Sequence, residues 1–206
     1  MNAPAVQIHK SVRELVGEKE WEVRVNLAAC YRLMAEYDMV EMIANHISAR
    51  IPGTTNEFLI NPYGMLYEEV TASSLIKIDL DGNVIEGNGK PPLEFHLHAG
   101  IYKARSDVQA IVHAHPKWST FLTMTGHEYL PVYAQGSLVY PMPLLDSPNS
   151  INNRAMADRL ADYRRSSLGE LLQGVSEHGR RHVADGRAPA DGRLQAAERR
   201  GRSQRR

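Results

Sequence analysis

The sequence predicts one mixed α/β domain followed by a basic tail, and three observations carry that expectation. Helix-forming runs with apolar residues every three or four positions alternate with short β-branched runs set between Gly, Pro, Asn and Asp clusters. The chain has 206 residues, 43% of them hydrophobic, enough for one full-sized core and short for two. At Tyr163 the composition changes: residues 1–163 carry 13 Lys and Arg against 19 Asp and Glu, a net of −6, whereas residues 164–206 carry 11 Arg against 5 acids, a net of +6. The later segment has no Ile, Met, Phe, Trp, Tyr or Lys and too little apolar content to bury, so it is expected to be disordered. The predicted organisation is a folded domain over 1–163 and an Arg-rich tail over 164–206.

The elements follow in order. EKEWEVRVNLAACYRLMAEY, from Glu18 to Tyr37, has an acidic start and no Gly or Pro, which predicts a helix burying Val23, Leu27, Cys30 and Met34. NHISARI and FLINP read as strands joined through the turn-rich PGTTNE, and Pro62-Tyr63-Gly64 turns the chain. Thr71 or Ser73 caps a helical turn before the strand LIKIDL, and Asp81-Gly82-Asn83 leads through a hairpin turn into VIEG. EFHLHAGIYKA, from Glu94 to Ala104, predicts a helix with Phe95, His98, Ala99 and Tyr102 on one face. AIVHAH, from Ala110, has the character of an interior strand, stopped by Pro116 ahead of a helix from Lys117 to Met124. YLPVY and SLVYPMPLL read as strands, and SPNSINNRAMADRLADY as a polar start followed by a helix.

Composition also excludes function classes. No stretch approaches the roughly 20 apolar residues that span a bilayer. The N-terminus lacks a secretory h-region, and the single Cys30 permits no internal disulfide, so the cytoplasm is the expected compartment. Clustered Arg in the tail attracts phosphate, but without interleaved aromatics for base stacking, so nucleic acid is not the expected partner.

Chemistry concentrates in one place. His113 and His115 are separated by one residue in a strand-like run, and period-two geometry points both imidazoles to one side. Two readings stand: a pair of metal ligands, or a hydrogen-bonded pair in a half-buried strand. Glu94, after Pro91-Pro92, reads by itself as a helix N-terminal acid. Asn45 and His46 read as backbone caps at a strand end, His96 and His98 as packed helix-face residues, and Lys117 and Gln135 as cleft or surface groups.

NHISARIPG, FLINPYGMLYEEVTASSLIKIDLDGNVIEG and LEFHLHAGIYKARSDVQAIVHAHP together resemble the class II aldolase/adducin family, over about Trp21 to Tyr163. The resemblance implies a three-layer α/β/α sandwich with a mainly antiparallel central sheet. It implies that His113 and His115 bind a divalent metal, zinc first and Mn2+, Co2+ or Fe2+ otherwise, and that Glu94 is the catalytic proton carrier. It also implies a homotetramer with a small-molecule substrate.

The implied reaction is aldehyde-lyase chemistry, in which a metal on neutral imidazoles stabilises the enediolate as a Lewis acid while Glu94, its pKa raised by desolvation, moves the proton. Pro92 and Leu93 stand where the sugar-phosphate aldolases carry hydroxyl residues, and Tyr63-Gly64 stands for their Thr-Gly, so a non-phosphorylated hydroxy-carbonyl substrate is expected. Decarboxylation, dehydration, epimerisation or iron-dependent oxygenation on the same scaffold, or a non-catalytic adducin-like interaction domain, are the alternatives.

The family's third metal histidine is echoed only by His178-Gly179, followed by Arg180-Arg181-His182 where an apolar strand belongs. The expectation is therefore a fold shortened at its C-terminal end, with a reading frame that departs from the family's after about Tyr163 and His178 as a substitute third ligand.

Overall fold

The computed structural model describes residues 11–138, 140, 142 and 149–167. Its centre is a five-stranded sheet of β1 (His46–Arg50), β2 (Glu57–Ile60), β3 (Ile76–Asp79), β4 (Val84–Glu86) and β5 (Ala110–His113), in the order β4-β3-β2-β1-β5. Every pairing among these strands is antiparallel. The helices are α1 (Val12–Leu15), α2 (Glu18–Glu36), α3 (Phe95–Ala104), α4 (Lys117–Thr125), α5 (Ala134–Ser137) and α6 (Arg154–Ser167).

Both faces of the sheet are covered, which makes three layers. In β2, Phe58 and Ile60 point to one side and Leu59 to the other, as the two-residue repeat of a strand requires. Phe58, Ile60, Ile76 and Ile78 pack with Ala99, Ile101 and Tyr102 of α3 and Ala157 and Leu160 of α6. On the opposite face Ile47, Ala49, Ile51, Leu59 and Leu75 pack under Leu27 and Tyr31 of α2. The three-layer α/β/α architecture expected from sequence is the one present.

α2 lies where its composition places it, with Val23, Cys30 and Met34 partly buried beside Leu27. Its most enclosed residues are nevertheless Arg24 and Tyr31, both fully buried. Arg24 donates to the Leu75 carbonyl at 2.8 Å and to Glu20 and Glu86 at 2.9 and 2.7 Å, so its charge is paired and its donors are occupied. Tyr31 accepts from the backbone N–H groups of Ile47 at 2.9 Å and Asn61 at 3.1 Å, tying α2 to two strands at once. The turn before β3 is closed by Thr71, whose hydroxyl accepts from Ser74 N–H at 3.1 Å.

Two expectations are corrected, and a third falls mostly outside the described residues. Among the described residues AIVHAH forms an edge strand and not an interior one: β5 ends at His113, pairs with β1 alone, and leaves Val112 49% exposed. Pro116 has no N–H to extend the ladder, and His115 lies beyond the strand. YLPVY forms no strand; it leads into the four-residue helix α5, because Pro131 withdraws a donor from that run and no strand among the described residues pairs with it. Of SLVYPMPLL, Ser137 closes α5, and the described remainder, Leu138, Tyr140 and Met142, is not in a strand. α6 runs past Tyr163 to Ser167, so it includes Arg164 and Arg165. His178 and the rest of the tail from residue 168 lie outside the described residues. No described helix is long and apolar enough to cross a membrane.

Candidate functional site

The site forms where the β1–β5 pair meets the start of α3. Cross-strand register sets His46 directly opposite His113, on the sheet face that α3 covers. The two rings stack with centroids 4.3 Å apart and planes 9° from parallel. His113 is anchored at the strand end by the Tyr67 hydroxyl, which donates to its carbonyl at 2.9 Å. Beyond the strand the chain carries His115 back, so that His113 Nε2 and His115 Nε2 lie 3.1 Å apart. The two imidazoles therefore converge although only one of them sits in the ladder.

That spacing suits a shared divalent ion. With zinc–nitrogen bonds of about 2.0–2.1 Å and tetrahedral angles, two ligand nitrogens sit roughly 3.3 Å apart. His115 Nδ1 lies 2.7 Å from Glu41 Oε2. A carboxylate can only accept there, so His115 carries a proton on Nδ1, and as a ligand it would present Nε2, the arrangement common behind metal-binding histidines. Burial, then the neighbouring His46 and His115, depress the His113 pKa to about 4, so this ring is neutral and needs to lose no charge to act as a ligand. Among the described residues no set of three His, Cys, Asp or Glu side chains is arranged to hold a metal. The pair supplies two donors.

Glu94 is the N-cap of α3, 26% exposed, with Oε2 3.3 Å from His46 Nε2 and Oε1 accepting from the Ser150 hydroxyl. These hydrogen bonds, His46 foremost, hold its pKa down to about 2 against the opposing effect of burial. The expected upward shift is thus reversed: partial desolvation is present, but two donors outweigh it. Glu94 and His113 flank the same imidazole, which brings three of the sequence-selected residues into one cluster.

Two residues carry more than their sequence readings suggested. His46 does not cap backbone; it sits between Glu94, His113 and His98, 1% exposed. His98 is packed in the core, as read, yet both its ring nitrogens are engaged, with His46 Nδ1 at 2.6 Å and Ser48 Oγ at 2.6 Å. Asn45 donates weakly to the Met42 carbonyl at 3.4 Å, and its Oδ1 is the one buried side-chain polar atom among the described residues without a hydrogen-bond partner. Nothing in the sequence marks Glu41, because an exposed acid in a loop carries no local signal.

A recess of about 450 Å3 adjoins His115, lined by Val40, Glu41, Lys117, Trp118, Phe121 and Met124 among others. Lys117 therefore does face a cleft, whereas Gln135 is exposed on α5. The His96 ring packs against Phe95 at 4.1 Å, away from the histidine cluster.

An antiparallel sheet between helices, with an HxH pair and an acid at a helix start, defines a class, and the comparisons name it. Residues 25–178 match the family described as the class II aldolase and adducin N-terminal domain, and the chain belongs to that family. It is 43% identical over 133 residues to a protein of Caulobacter vibrioides named for the class 2 aldolases, covering 64% of this chain and 52% of that one. A solved aldolase II superfamily protein from Pseudomonas syringae superposes with a TM-score of 0.66 at 34% identity, over 77% of this chain and 63% of the other. L-fuculose 1-phosphate aldolase from Glaciozyma antarctica superposes with a TM-score of 0.59 at 27% identity, over 69% and 57%. The chain spans about half the length of the curated relatives it matches.

Proposed function

We propose that this chain is a metal-dependent aldehyde-lyase acting on a small, non-phosphorylated hydroxy-carbonyl compound. The observation that carries the reading is the convergence of His113 Nε2 and His115 Nε2 to 3.1 Å, with Glu94 attached to the same cluster through His46. In this reading His113 and His115 hold a divalent ion, zinc before Mn2+, Co2+ or Fe2+, with His178 as the third ligand. When bound, the ion supplies Lewis-acid polarisation of a carbonyl oxygen. Glu41 keeps the His115 ring in the tautomer that presents Nε2. Glu94, ionised and partly shielded, accepts the proton that leaves the substrate hydroxyl and returns it to the product carbon. Pro92, buried, and Leu93, 70% exposed, offer no hydroxyl beside Glu94 for a phosphate, which supports a non-phosphorylated substrate.

Family membership and the exposed apolar side chains Trp118, Phe121 and Met124 support a homo-oligomer, with a tetramer as the proposed state. Light scattering checks it, and a monomer at micromolar concentration refutes it. The cytoplasm remains the proposed compartment.

The test is elemental analysis and zinc reloading of the purified chain beside a His113→Ala, His115→Ala variant, followed by assay for aldehyde release from non-phosphorylated hydroxy-ketones. The reading requires near-stoichiometric metal that the variant loses, and cleavage that needs both metal and Glu94. A chain that binds no metal after reloading favours the second reading, a non-catalytic adducin-like interaction domain. The observation on its side is that the described residues supply only two metal donors.

A further inference from the structure

We propose that Tyr102, Ser48, His98 and His46 form a one-directional hydrogen-bond chain ending on Glu94, and that His46 and His98 are positioning residues for that carboxylate. The proposal rests on the reading of Glu94 as the proton carrier. Its contacts run without a break: Tyr102 hydroxyl to Ser48 Oγ at 2.8 Å, Ser48 Oγ to His98 Nδ1 at 2.6 Å, His98 Nε2 to His46 Nδ1 at 2.6 Å, and His46 Nε2 to Glu94 Oε2 at 3.3 Å. The four members before Glu94 are each at most 2% exposed, so water does not substitute for a missing partner.

Placing the protons decides the direction. An ionised carboxylate can only accept, so His46 donates from Nε2. A neutral His46 then accepts at Nδ1, which requires His98 to donate from Nε2. His98 Nδ1 accepts from the Ser48 hydroxyl, whose oxygen accepts from Tyr102. Every proton has an acceptor and no buried charge is needed. The opposite arrangement, with His46 as an imidazolium donating both ways, makes Ser48 accept from His98 and leaves one of the two hydroxyl hydrogens of Ser48 and Tyr102 without an acceptor in the chain. It also places a charge in a fully buried ring stacked on His113. Burial drives the His98 pKa well down and the Tyr102 pKa up, which keeps the first neutral and the second a donor.

The consequence is geometric. Glu94 Oε2 is held by one donor of fixed direction, while Oε1 bonds Ser150 at the exposed edge. A proton taken from a substrate is therefore expected on Oε1. The chain also explains why β1 buries polar side chains. His46 and Ser48 alternate onto the face that α3 covers, opposite His98 and Tyr102, so an ordinary solvent-facing polar stripe is turned inward and satisfied.

The test is long-range 1H–15N correlation spectroscopy of the full, metal-free chain labelled at histidine, at pH 7. His46 and His98 are each expected as neutral rings protonated at Nε2. A proton on Nδ1 of either ring, or an imidazolium at His46, overturns the proposal. Ser48→Ala is expected to move His98 Nδ1 to the position of a free acceptor and to speed exchange of the His46 Nε2 proton at least tenfold, with Ser48→Thr restoring both. Unchanged resonances in Ser48→Ala overturn it as well. The wild-type tautomers decide the matter even where a variant does not fold. Expected tautomers in a chain without lyase activity retain the positioning chain and remove the lyase reading. Active enzyme with the opposite tautomers does the reverse.

Discussion

Glu41 offers the sharpest test of whether His113 and His115 are a metal pair or only a hydrogen-bonded one. Its Oε2 lies 2.7 Å from His115 Nδ1, and it is the only partner the structure gives that nitrogen among the described residues. Orienting carboxylates of this kind are worth roughly 10–100-fold in metal affinity. Glu41 is 60% exposed and its partner 30%, so solvent screening places the effect at the lower end. Glu41→Ala removes both charge and acceptor and is expected to weaken zinc binding about tenfold, or about 1.4 kcal/mol. Glu41→Gln keeps an acceptor and should lose about threefold, roughly 0.7 kcal/mol. Competition against a chromophoric zinc chelator at pH 7 reads both, with Glu68→Gln, an exposed acid elsewhere on the surface, as the control. Wild-type affinity in Glu41→Ala, with binding abolished in His115→Ala, refutes the orienting role. Wild-type affinity in His115→Ala refutes the ligand pair itself.

Other outcomes follow from the same packing. Arg24→Ala leaves the Leu75 carbonyl unpaired and Glu20 and Glu86 with only Lys77, at 2.8 and 3.3 Å; the expected loss is about 3 kcal/mol by urea unfolding, and a loss below about 1 kcal/mol contradicts the buried network. Gly100→Ala sets a methyl 2.8 Å from Ala157 Cβ where α3 crosses α6, costing about 1–2 kcal/mol after the helix-propensity gain, and Ala157→Gly in the same chain should recover part of it; no loss in Gly100→Ala would mean the helices are not this close. Stability of the metal-free chain should fall with pH. His113 is depressed from 6.5 to about 4, so between those values the unfolded chain holds a proton that the folded chain refuses, and the contribution present above pH 6.5 is lost as pH drops towards 4, at most about 3 kcal/mol. His113→Gln should flatten that slope in urea titrations at pH 7 and pH 5, and an unaltered slope assigns the effect elsewhere.

The fold was legible because the helices and most strands announce themselves locally. The α2 run contains no breaker, and NHISARI, FLINP, LIKIDL and VIEG each hold one strand with turn residues between them. What misled was pairing. AIVHAH looked interior because its residues are apolar, yet β5 has one neighbour among the described strands, and strand position in a sheet is a property of partners far along the chain. Arg24 escaped notice for a similar reason. An apolar-periodicity argument counts hydrophobic positions, whereas the groups that make a buried guanidinium tolerable, Glu86 and the Leu75 carbonyl, are separated from it by more than 50 residues.

The site divides along the same line. HxH spacing is local and drew attention to His113 and His115, while the partners that give those rings a direction are not local. In β1 the alternation His46, Ser48 normally signals a solvent face, and only the covering helix shows it to be buried and hydrogen-bonded. The β1–β5 register then becomes the controlling variable. Slipping that pairing by one residue would turn His46 and Ser48 onto the α2 face and set Ile47 among the histidines. Tyr31 opposes such a slip, since its hydroxyl, fixed in the α2 layer, accepts the Ile47 N–H and the Asn61 N–H and so specifies which residue of β1 lies beneath the helix. A tyrosine on the face opposite the histidines thus contributes to their alignment, and Tyr31→Phe should loosen the pairing of His46 with His113 before it unfolds the domain. Amide hydrogen exchange at Ile111 and His113, the β5 residues in hydrogen-bonded pairs with β1, that rises at least tenfold in Tyr31→Phe, at unchanged exchange in α3, is the expected result; uniform change across both elements would assign Tyr31 to global stability alone.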